Sequence, residues 1–300
     1  MKLVHFLKKK IKSAPRKNGV SVRDFYNRCA EREYERTIKK PHNMLEFQTT
    51  EYFYKKYLKP GMKILDAGGG PGRYTVELAR AGHHMTLLDV SDKELEVAHR
   101  KIKENNVENF VDAVDLGSIT KLPYDDHAFD MVLCLGGPIS HLKTEDERSR
   151  AIRELVRVAR PGAVICVSVM NRPAVLNLTV NNWKDYINGY GSGYDFWKEM
   201  DLLTREGDDN WFVGCSYAHF FWPSELRELV QRSAPEVNIL HLVALEWSAQ
   251  NADKKFDELM ADPKRARQWM NIHFALSDHP DMQGLGGHTM IVFQKPSCVK

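Results

Sequence analysis

The sequence predicts an α/β fold in which a doubly wound, mostly parallel seven-stranded sheet forms the core. Two observations carry this prediction. Short apolar runs alternate with amphipathic helical segments from about residue 63 to residue 170, and the same alternation resumes after about residue 223. Strands that are apolar along their whole length are buried on both faces, as in a parallel sheet covered by helices. A helical N-terminal preface and an inserted aromatic-rich cap after the fifth strand complete the expected architecture.

Each element follows from its own run of residues. Strands are predicted over Lys63–Asp66, Met85–Asp89, Phe110–Val114, Phe129–Leu135, Val164–Met170, Val237–Leu245 and His288–Gln294. Helices are predicted over Arg73–Arg80 and over about Pro223–Arg232. A further helix is predicted to begin at Ser91, and another, which precedes the fifth strand, is predicted to end at Pro161-Gly162. Ser91 and Glu94 have the spacing of a capping box, in which the two residues bond each other's backbone amides through their side chains.

The same pattern divides the chain into five parts. We expect a basic flexible N-terminus over 1–22, a helical preface or lid over 23–60, a ligand-binding core over 61–171, an aromatic-rich substrate cap over 172–222, and completion of the sheet over 223–300 with a helical insertion at about 249–285. Both insertions fall between sheet elements, so they are expected to project from one end of the sheet.

The composition is that of an ordinary globular protein and argues against several classes. Of the 300 residues, 43% are hydrophobic and 28% charged, and the net charge of +3 gives no whole-chain argument for nucleic acid. The five cysteines form no C-x-x-C pair, which favours a reducing compartment and argues against a disulfide framework or a zinc site. No apolar run approaches the ~20 residues of a membrane-spanning helix. We therefore expect a cytoplasmic protein without a transmembrane segment.

The basic excess lies at the start of the chain, before the first acidic residue, Asp24. Leu3, Leu7 and Ile11 fall at helical spacing among lysines. Such a pattern is found in helices that lie on a membrane surface, in organelle-targeting segments and in solvated termini. Peripheral membrane contact and an organellar location therefore stay open as alternatives.

The stretch ILDAGGGPGRYT, residues 64–75, follows the first predicted strand, where open α/β sheets bind ligands. A dinucleotide fingerprint needs G-x-G-x-x-G, but counting from Gly68 the third glycine position is occupied by Arg73. Asp66, just before the glycines, would also repel a pyrophosphate. The stretch therefore argues against an NAD-dependent dehydrogenase and favours a ligand with positive charge, such as one with an amino group and a sulfonium.

Acidic residues at the next two strands extend this interpretation. Asp89 ends the second predicted strand, where an acid accepts the hydroxyls of a ribose. Asp115, just after the third predicted strand, is placed to accept the exocyclic amine of adenine, with Leu116 against the ring. Amino acid, sulfonium, ribose and adenine together describe S-adenosylmethionine.

Five ordered segments of the sequence resemble a known family. They are ILDAGGGPG, LLDVS, AVDLGSITKLP, FDMVLCLGG and LVRVARPGAVICVSV. Over roughly Lys55 to Met170 the chain resembles the class I S-adenosylmethionine-dependent methyltransferases, and most closely their small-molecule, quinone-methyltransferase-like branch. The resemblance implies a Rossmann-like fold, S-adenosylmethionine as cofactor, S-adenosylhomocysteine as product, and no metal. The predicted cofactor-binding residues are Asp66, Gly68, Gly70, Gly72, Asp89, Asp115, Leu116, Leu135 and Gly136. The segment after Asp115 is longer than usual for the family, which makes Gly117-Ser118 an alternative adenine contact.

Methyl transfer from a sulfonium is an in-line displacement whose leaving group, a neutral thioether, needs no proton. Alignment and the exclusion of water are the main tasks of such an enzyme, and a base helps when the acceptor is a hydroxyl or thiol. His141, just past the fourth predicted strand, and His219, in the aromatic insertion, are the candidate catalytic bases. A packing or hydrogen-bonding role is the alternative for each.

Aromatic residues of the preface and the cap are the candidate substrate-binding residues, because they can stack on a planar substrate or surround a cationic amine. They are Tyr26, Tyr34, Trp183, Tyr194 and Trp222. The alternative is that they form the small core of the cap. Gly136-Gly137-Pro138 lacks the polar residue, two prolines and aromatic that are usual in nucleobase methyltransferases, so nucleic acid is not the expected partner.

The resemblance implies an enzyme that transfers a methyl group to a small-molecule acceptor at oxygen, nitrogen or sulfur. Two alternatives stay open from the sequence. One is methylation of a protein or RNA group, and the other is a non-catalytic protein that binds S-adenosylmethionine as a scaffold or sensor.

Overall fold

The computed structural model describes residues 21–36, 41–181, 196–212, 216–249 and 253–297. A seven-stranded sheet lies at the centre of these residues. Its strands are β1 (Lys63–Ala67), β2 (His84–Asp89), β3 (Val111–Leu116), β4 (Phe129–Cys134), β5 (Ala159–Met170), β8 (Asn238–Ala244) and β9 (His288–Gln294). Two further strands, β6 (Asp208–Phe212) and β7 (Ser216–His219), pair antiparallel in a separate sheet.

The strands of the large sheet follow the order β3-β2-β1-β4-β5-β9-β8. Strands β1 to β5 pair parallel, and β9 is antiparallel to both of its neighbours, β5 and β8. The predicted α/β class with a mostly parallel seven-stranded sheet is therefore confirmed.

Helices flank the sheet on both faces. They are α1 (Val22–Arg36), α2 (Pro41–Tyr54), α3 (Arg73–Arg80), α4 (Asp92–Glu104), α5 (Glu145–Val158), α6 (Arg172–Asn181), α7 (Phe196–Glu206), α8 (Pro223–Ser233), α9 (Asp253–Met260) and α10 (Pro263–Leu276). A short 3-10 helix, Pro138–His141, follows β4. Among the helices that the structure describes, none has both the length and the hydropathy to cross a membrane.

The core is split by the sheet into two apolar layers. Ile64 and Leu65 are neighbours on β1 and both are fully buried, yet they belong to different clusters. Leu65 shares its cluster with Ile152 of α5, and Ile64 shares the other with Leu78 of α3. Because side chains alternate between the two faces of a strand, burial on both faces requires apolar residues at consecutive positions. This double cover explains the continuous apolar runs of the sequence.

The boundary between α5 and β5 differs from the sequence prediction. Pro161-Gly162 was expected to end the helix, but α5 ends at Val158 and the strand begins at Ala159. Ala159 pairs with Phe129 of β4, and the Gly162 amide donates to the Lys295 carbonyl at 3.0 Å. The proline and glycine are therefore accommodated in the first part of the strand, where Gly162 has a φ of +81°.

Helix α1 packs across the start of α4. Asn27 Oδ1 accepts a hydrogen bond from the Ser91 hydroxyl at 2.6 Å, and Arg23 pairs with Asp92 at 2.9 Å. Helix α1 therefore covers the corner where β2 ends and α4 begins.

The division of the chain into preface, core and cap stays a prediction.

A salt-bridge network joins α1 and α2 to the start of β9. Arg36 pairs with Glu46 at 2.8 Å, and His288 Nδ1 lies 2.6 Å from Glu246 Oε1. Burial alone would lower the pKa of His288, but Glu46 and Glu246 outweigh it and raise this pKa to about 9. Glu46, Glu246 and His288 each offer one possible metal-ligand atom, and these three atoms lie within 4.8 Å of one another, close enough to hold a metal ion. Because Arg36 and the cationic histidine already neutralise these carboxylates, we assign the group to the salt-bridge network.

Arg172, at the start of α6, fastens the two-stranded sheet to the core. Its guanidinium is buried and donates to the Phe220 carbonyl at 2.9 Å, to the Glu206 carbonyl at 3.1 Å and to Glu225 Oε2 at 2.8 Å. Gly207 lies against this guanidinium with a φ of +85°. A Cβ at Gly207 would overlap both the guanidinium and the Phe220 carbonyl oxygen.

The substitution Gly207→Ala is therefore expected to destabilise the fold. The left-handed backbone and the overlap together are expected to lower the free energy of unfolding by about 2–4 kcal/mol. Gly61→Ala is the matched control, because Gly61 has a φ of +68° but a Cβ there would meet no atom within 4 Å. Urea unfolding of the two variants measures the difference. Equal destabilisation would show that the contact with Arg172 contributes nothing.

Candidate active site

The glycine stretch forms the turn from β1 into α3. Gly68, Gly70 and Gly72 have φ values of +75°, +54° and +79°, which favour glycine. The Gly68 amide donates to the Leu88 carbonyl of β2 at 2.6 Å. A Cβ on Gly68 would lie 2.6 Å from Pro138 Cγ, so the loop after β4 packs directly on the glycine turn. Two loops thus meet at the carboxyl ends of neighbouring strands, where α/β sheets bind ligands.

Asp66 lies beneath this turn and is fully buried. Its Oδ2 accepts a hydrogen bond from the Thr75 hydroxyl at 2.7 Å, whereas Oδ1 has no hydrogen-bond partner among the described residues. Burial raises the pKa of Asp66 to about 6. A buried carboxylate oxygen without a donor is costly, and an ammonium group is a chemical match for it. Asp66 therefore fits the amino group of S-adenosylmethionine.

Asp89 is the last residue of β2, and it holds the glycine turn through one carboxylate oxygen and the start of α4 through the other. Oδ2 accepts from the Gly70 amide at 2.9 Å, and Oδ1 accepts from the Ser91 amide at 2.8 Å. Burial raises the pKa of Asp89, and these amide bonds oppose the rise. Each oxygen keeps a second lone pair, so the residue can accept a ribose hydroxyl while it orders the turn.

Asp89→Ala is expected to weaken the binding of S-adenosylhomocysteine by about 1–3 kcal/mol. The substitution removes the oxygens that accept hydrogen bonds from the Gly70 and Ser91 amides and, as predicted, from a ribose hydroxyl. Calorimetric titration measures the change. Asp112→Ala is the control, since Asp112 is an exposed acid of β3 that forms an ion pair with His84 at 3.0 Å. Unchanged affinity in Asp89→Ala would remove the ribose assignment.

The third strand ends differently from the prediction. β3 extends through Leu116, so Asp115 lies within the strand and not after it. The Tyr124 hydroxyl donates to Asp115 Oδ2 at 2.9 Å. Leu116 is 57% exposed and offers an open apolar surface for a ring. Ser118, part of the alternative adenine contact, shares a hydrogen bond of 2.9 Å with Thr120 in its own turn.

The loop after β4 leaves free space beside its first glycine. Leu135 is buried, and the Gly136 amide donates to the Ser168 hydroxyl at 2.8 Å. Gly136 has a φ of +79°, and a Cβ there would meet no atom within 4 Å. This open position leaves room for a bound molecule, and the contact of Gly136 with the cofactor stays a prediction.

His141 ends the 3-10 helix and pairs with Tyr26 of α1. The Tyr26 hydroxyl lies 2.8 Å from His141 Nε2, and His141 Nδ1 lies 3.0 Å from the Tyr217 carbonyl oxygen. A carbonyl can only accept, so Nδ1 carries the proton and Nε2 accepts the hydrogen bond of the tyrosine. Both side chains are predicted site residues, but no pattern in the sequence indicates that they are paired.

Burial sets the charge of this pair. His141 is 8% exposed, and burial lowers its pKa, which keeps the imidazole neutral at pH 7. Burial also raises the pKa of Tyr26 well above 10, with a further rise from nearby Glu33. A neutral imidazole that accepts from a neutral phenol is ready to take a proton through it.

His219, the second candidate base, has a different environment. Its Nδ1 lies 2.6 Å from Asp208 Oδ1, and its Nε2 lies 2.7 Å from Glu225 Oε1. Both ring nitrogens are therefore engaged by carboxylates, and the residue ties β6 to α8 next to Arg172. A catalytic role for His219 stays a prediction, and our proposal is built on His141.

The predicted substrate aromatics are dispersed. Tyr34 is buried against Val97 of α4, and Trp222 is 39% exposed with the Arg172 guanidinium 5.2 Å from its ring centre. Trp183 and Tyr194 lie outside the described residues. Of the predicted substrate aromatics that the structure describes, Tyr26 contacts a candidate catalytic residue, His141.

Glu94 is a residue of this site whose sequence spacing predicts only a helix cap. Its amide does donate to the Ser91 hydroxyl at 3.1 Å. The return bond of the predicted capping box is missing, because Asp89 Oδ1 takes the Ser91 amide. The Glu94 carboxyl is directed instead toward Gly70, where a Cβ would overlap Oε2. In the sequence, the position of Glu94 next to Leu95, among the apolar positions of the helix, is the pattern that could have indicated its burial.

Comparison with known proteins agrees with this geometry. A family model described as a methyltransferase domain matches residues 64–162. The chain is 28% identical over 132 residues to the ubiquinone/menaquinone biosynthesis C-methyltransferase of Idiomarina loihiensis, a match that covers 43% of this chain and 50% of that protein. The chain thus spans about half the length of the curated relatives it matches.

Solved structures extend the likeness to most of the chain. A methyltransferase of Methanosarcina mazei has a TM-score of 0.55 at 20% identity, covering 82% of this chain and 97% of that one. The 1,6-didemethyltoxoflavin-N1-methyltransferase of Burkholderia thailandensis, with 1,6-didemethyltoxoflavin and S-adenosylhomocysteine bound, has a TM-score of 0.54 at 13% identity, covering 92% and 88%. At these identities the likeness shows the fold. Residues 64–162 match a methyltransferase domain, and the fold of the chain is similar to that of class I S-adenosylmethionine-dependent methyltransferases.

Proposed function

We propose that this protein transfers a methyl group from S-adenosylmethionine to a small-molecule acceptor. One observation carries the proposal. Pro138, three residues before His141, packs against Gly68, so the Tyr26–His141 pair is held next to the glycine turn at the same edge of the sheet. A nucleoside site and a buried proton acceptor therefore adjoin each other.

The cofactor, when bound, supplies an electrophilic methyl group on a sulfonium. The residues of this chain hold it and prepare the acceptor. Asp66 and Asp89 offer acceptors for an ammonium and for ribose hydroxyls, and Leu116 offers a surface for adenine. Gly136 leaves room at the end of β4 for the reacting groups.

The Tyr26–His141 pair removes the proton of the acceptor. The acceptor's proton passes to the Tyr26 oxygen while the tyrosine's own proton passes to His141 Nε2, which leaves a neutral tyrosine and an imidazolium. The Tyr217 carbonyl fixes the tautomer that makes Nε2 the acceptor. The substrate is thus an acceptor with a proton to lose at oxygen, nitrogen or sulfur, or at carbon, as the name of the Idiomarina relative indicates for that protein.

The two alternatives from the sequence gain less support. The Idiomarina relative is named for ubiquinone/menaquinone biosynthesis and the Burkholderia structure holds 1,6-didemethyltoxoflavin, and neither name mentions a protein or an RNA. A non-catalytic binding protein would not need a buried tyrosine–histidine pair beside the cofactor turn. We therefore place small-molecule methylation first.

The experiment is a transfer assay with S-adenosylmethionine whose methyl group is deuterated. The purified chain is incubated with panels of phenols, hydroquinones, thiols and amines, and products are identified by a mass gain of one deuterated methyl. His141→Ala serves as the catalytic control in every reaction. Formation of labelled product by the wild type, and about a hundredfold less by the variant, is expected. Equal labelling by both would contradict the role of the pair.

A further inference from the structure

Glu94 is a buried carboxyl group at the edge of the cofactor turn, and one of its two oxygens has no hydrogen-bond partner among the described residues. The residue is 2% exposed, and the oxygen in question is Oε1. Its Oε2 faces Gly70 so closely that a Cβ at that glycine would overlap it. Helix α1, held by Asn27 and Arg23, covers the corner from outside. The folded chain thus encloses a polar group that it does not satisfy.

The neighbours of Glu94 keep it in the acid form. Burial is the main cause, and the charges of Asp89 and Glu33 add to it, so that the pKa of Glu94 rises to about 9. Arg36 opposes this rise but does not cancel it. At pH 7 the group is therefore a carboxylic acid with one donor and one free acceptor.

The position of Glu94 relates it to the ribose. Gly70 donates its amide to Asp89 Oδ2 at 2.9 Å, and the Glu94 carboxyl lies against the same glycine. The Asp89 oxygens accept hydrogen bonds from two amides and can accept from a hydroxyl, whereas Glu94 offers a donor. A vicinal diol presents hydroxyls that both donate and accept, so a carboxylate and a carboxylic acid around one glycine are complementary to it.

On the basis of the proposed function, we infer that Glu94 is a further cofactor-binding residue, which hydrogen-bonds as a carboxylic acid to the ribose diol held by Asp89. Every buried polar group without a partner costs stability, and a ligand that supplies the partner recovers this cost on binding. The stability of the free protein and the affinity for the ligand should therefore respond in opposite directions when the carboxyl is removed.

Two variants of the full chain test this inference. Glu94→Leu removes the donor and keeps an apolar side chain, so S-adenosylhomocysteine should bind about tenfold more weakly while the melting temperature of the free protein stays the same or rises. Glu94→Gln keeps a donor and an acceptor and should bind within about threefold of the wild type at pH 7.5. Glu46→Gln is the control, since Glu46 is equally buried but pairs with Arg36.

The dependence on pH supplies a second readout. Above a pKa of about 9 the acid of the wild type ionises and loses its donor, whereas glutamine does not. The wild-type affinity relative to that of Glu94→Gln should therefore fall by up to about tenfold per pH unit above pH 9. The amino group of the ligand titrates equally in both proteins and cancels in this ratio.

The inference is overturned by a Glu94→Leu variant that binds as tightly as the wild type. It is also overturned if the affinity of the wild type relative to that of Glu94→Gln stays constant from pH 7.5 to pH 10. If Glu94→Leu does not fold, the ratio for Glu94→Gln decides alone. Failure of the wild type to bind S-adenosylhomocysteine at all would instead remove the proposed function, and is recognised in the first titration.

Discussion

Gly68→Ala is expected to lower the affinity for S-adenosylhomocysteine by about a hundredfold or more, because a left-handed backbone and a close contact with the Pro138 ring meet at this residue. Its φ of +75° disfavours any side chain, and a Cβ would lie 2.6 Å from Pro138 Cγ and 2.8 Å from Pro138 Cβ. A proline ring cannot rotate away as a flexible side chain can. The turn or the loop after β4 must therefore move, and both border the proposed cofactor site.

Gly82→Ala is the matched control for this prediction. Gly82 has a φ of +86°, and a Cβ there would meet no atom within 4 Å. The two variants share a backbone cost of about 1–2 kcal/mol, which appears as a lower free energy of unfolding. Only Gly68→Ala should also lose affinity in calorimetry. A Gly68→Ala protein that binds S-adenosylhomocysteine like the wild type would show that the ligand does not depend on this turn.

Tyr26→Phe is expected to lower kcat by about 10²–10³-fold without changing the affinity for S-adenosylhomocysteine. The hydroxyl that connects the acceptor to His141 Nε2 is lost, while the ring and its packing remain. His141→Ala should have a similar effect. The double variant should be little slower than either single variant, since both residues serve one proton transfer.

Tyr57→Phe tests the specificity of this effect. Tyr57 makes the same kind of bond, 2.8 Å from its hydroxyl to His241 Nε2, but His241 lies on the edge strand β8 and pairs with Asp278. Loss of this second pair should leave kcat unchanged. Equal slowing in Tyr57→Phe and Tyr26→Phe would point to a general effect on the fold.

The histidine also fixes the acid side of the pH profile. Burial lowers the pKa of His141 below its usual value of about 6.5. The imidazole is neutral and active above its pKa and loses its acceptor as the pH falls through it. The value of kcat should therefore decline only below about pH 6.5, and this limb should be absent from the residual activity of His141→Ala.

The sheet could be predicted from the sequence because its physical cause is local. Strands covered on both faces need consecutive apolar residues, as Ile64 and Leu65 show, and this requirement is visible in any window of the chain. The residues at which strands begin and end depend less on local sequence. The start of β5 at Ala159 depends on pairing with Phe129, which no local pattern indicates. The strands β6 and β7 were not predicted, since DDNWF lacks an alternating pattern.

The residues of the site likewise divide into those that local sequence predicts and those that depend on tertiary contacts. The glycines and Asp89 are adjacent to strand ends, so their role follows from sequence position and the rule for α/β sheets. Tyr26 and His141 are 115 residues apart, and their hydrogen bond depends on how α1 folds over the sheet. Glu94 was interpreted as half of a capping box because the competing bond from Asp89 to the Ser91 amide is tertiary.

The central claim is that the turn after β1 holds a nucleoside–amino-acid conjugate, whose ammonium group it accepts, and disfavours a diphosphate. Calorimetric titration of the purified chain with S-adenosylhomocysteine and, separately, with NAD tests it most directly. The account predicts saturable binding of S-adenosylhomocysteine with a one-to-one stoichiometry and no heat of binding for NAD. Saturable binding of NAD together with no binding of S-adenosylhomocysteine would contradict it.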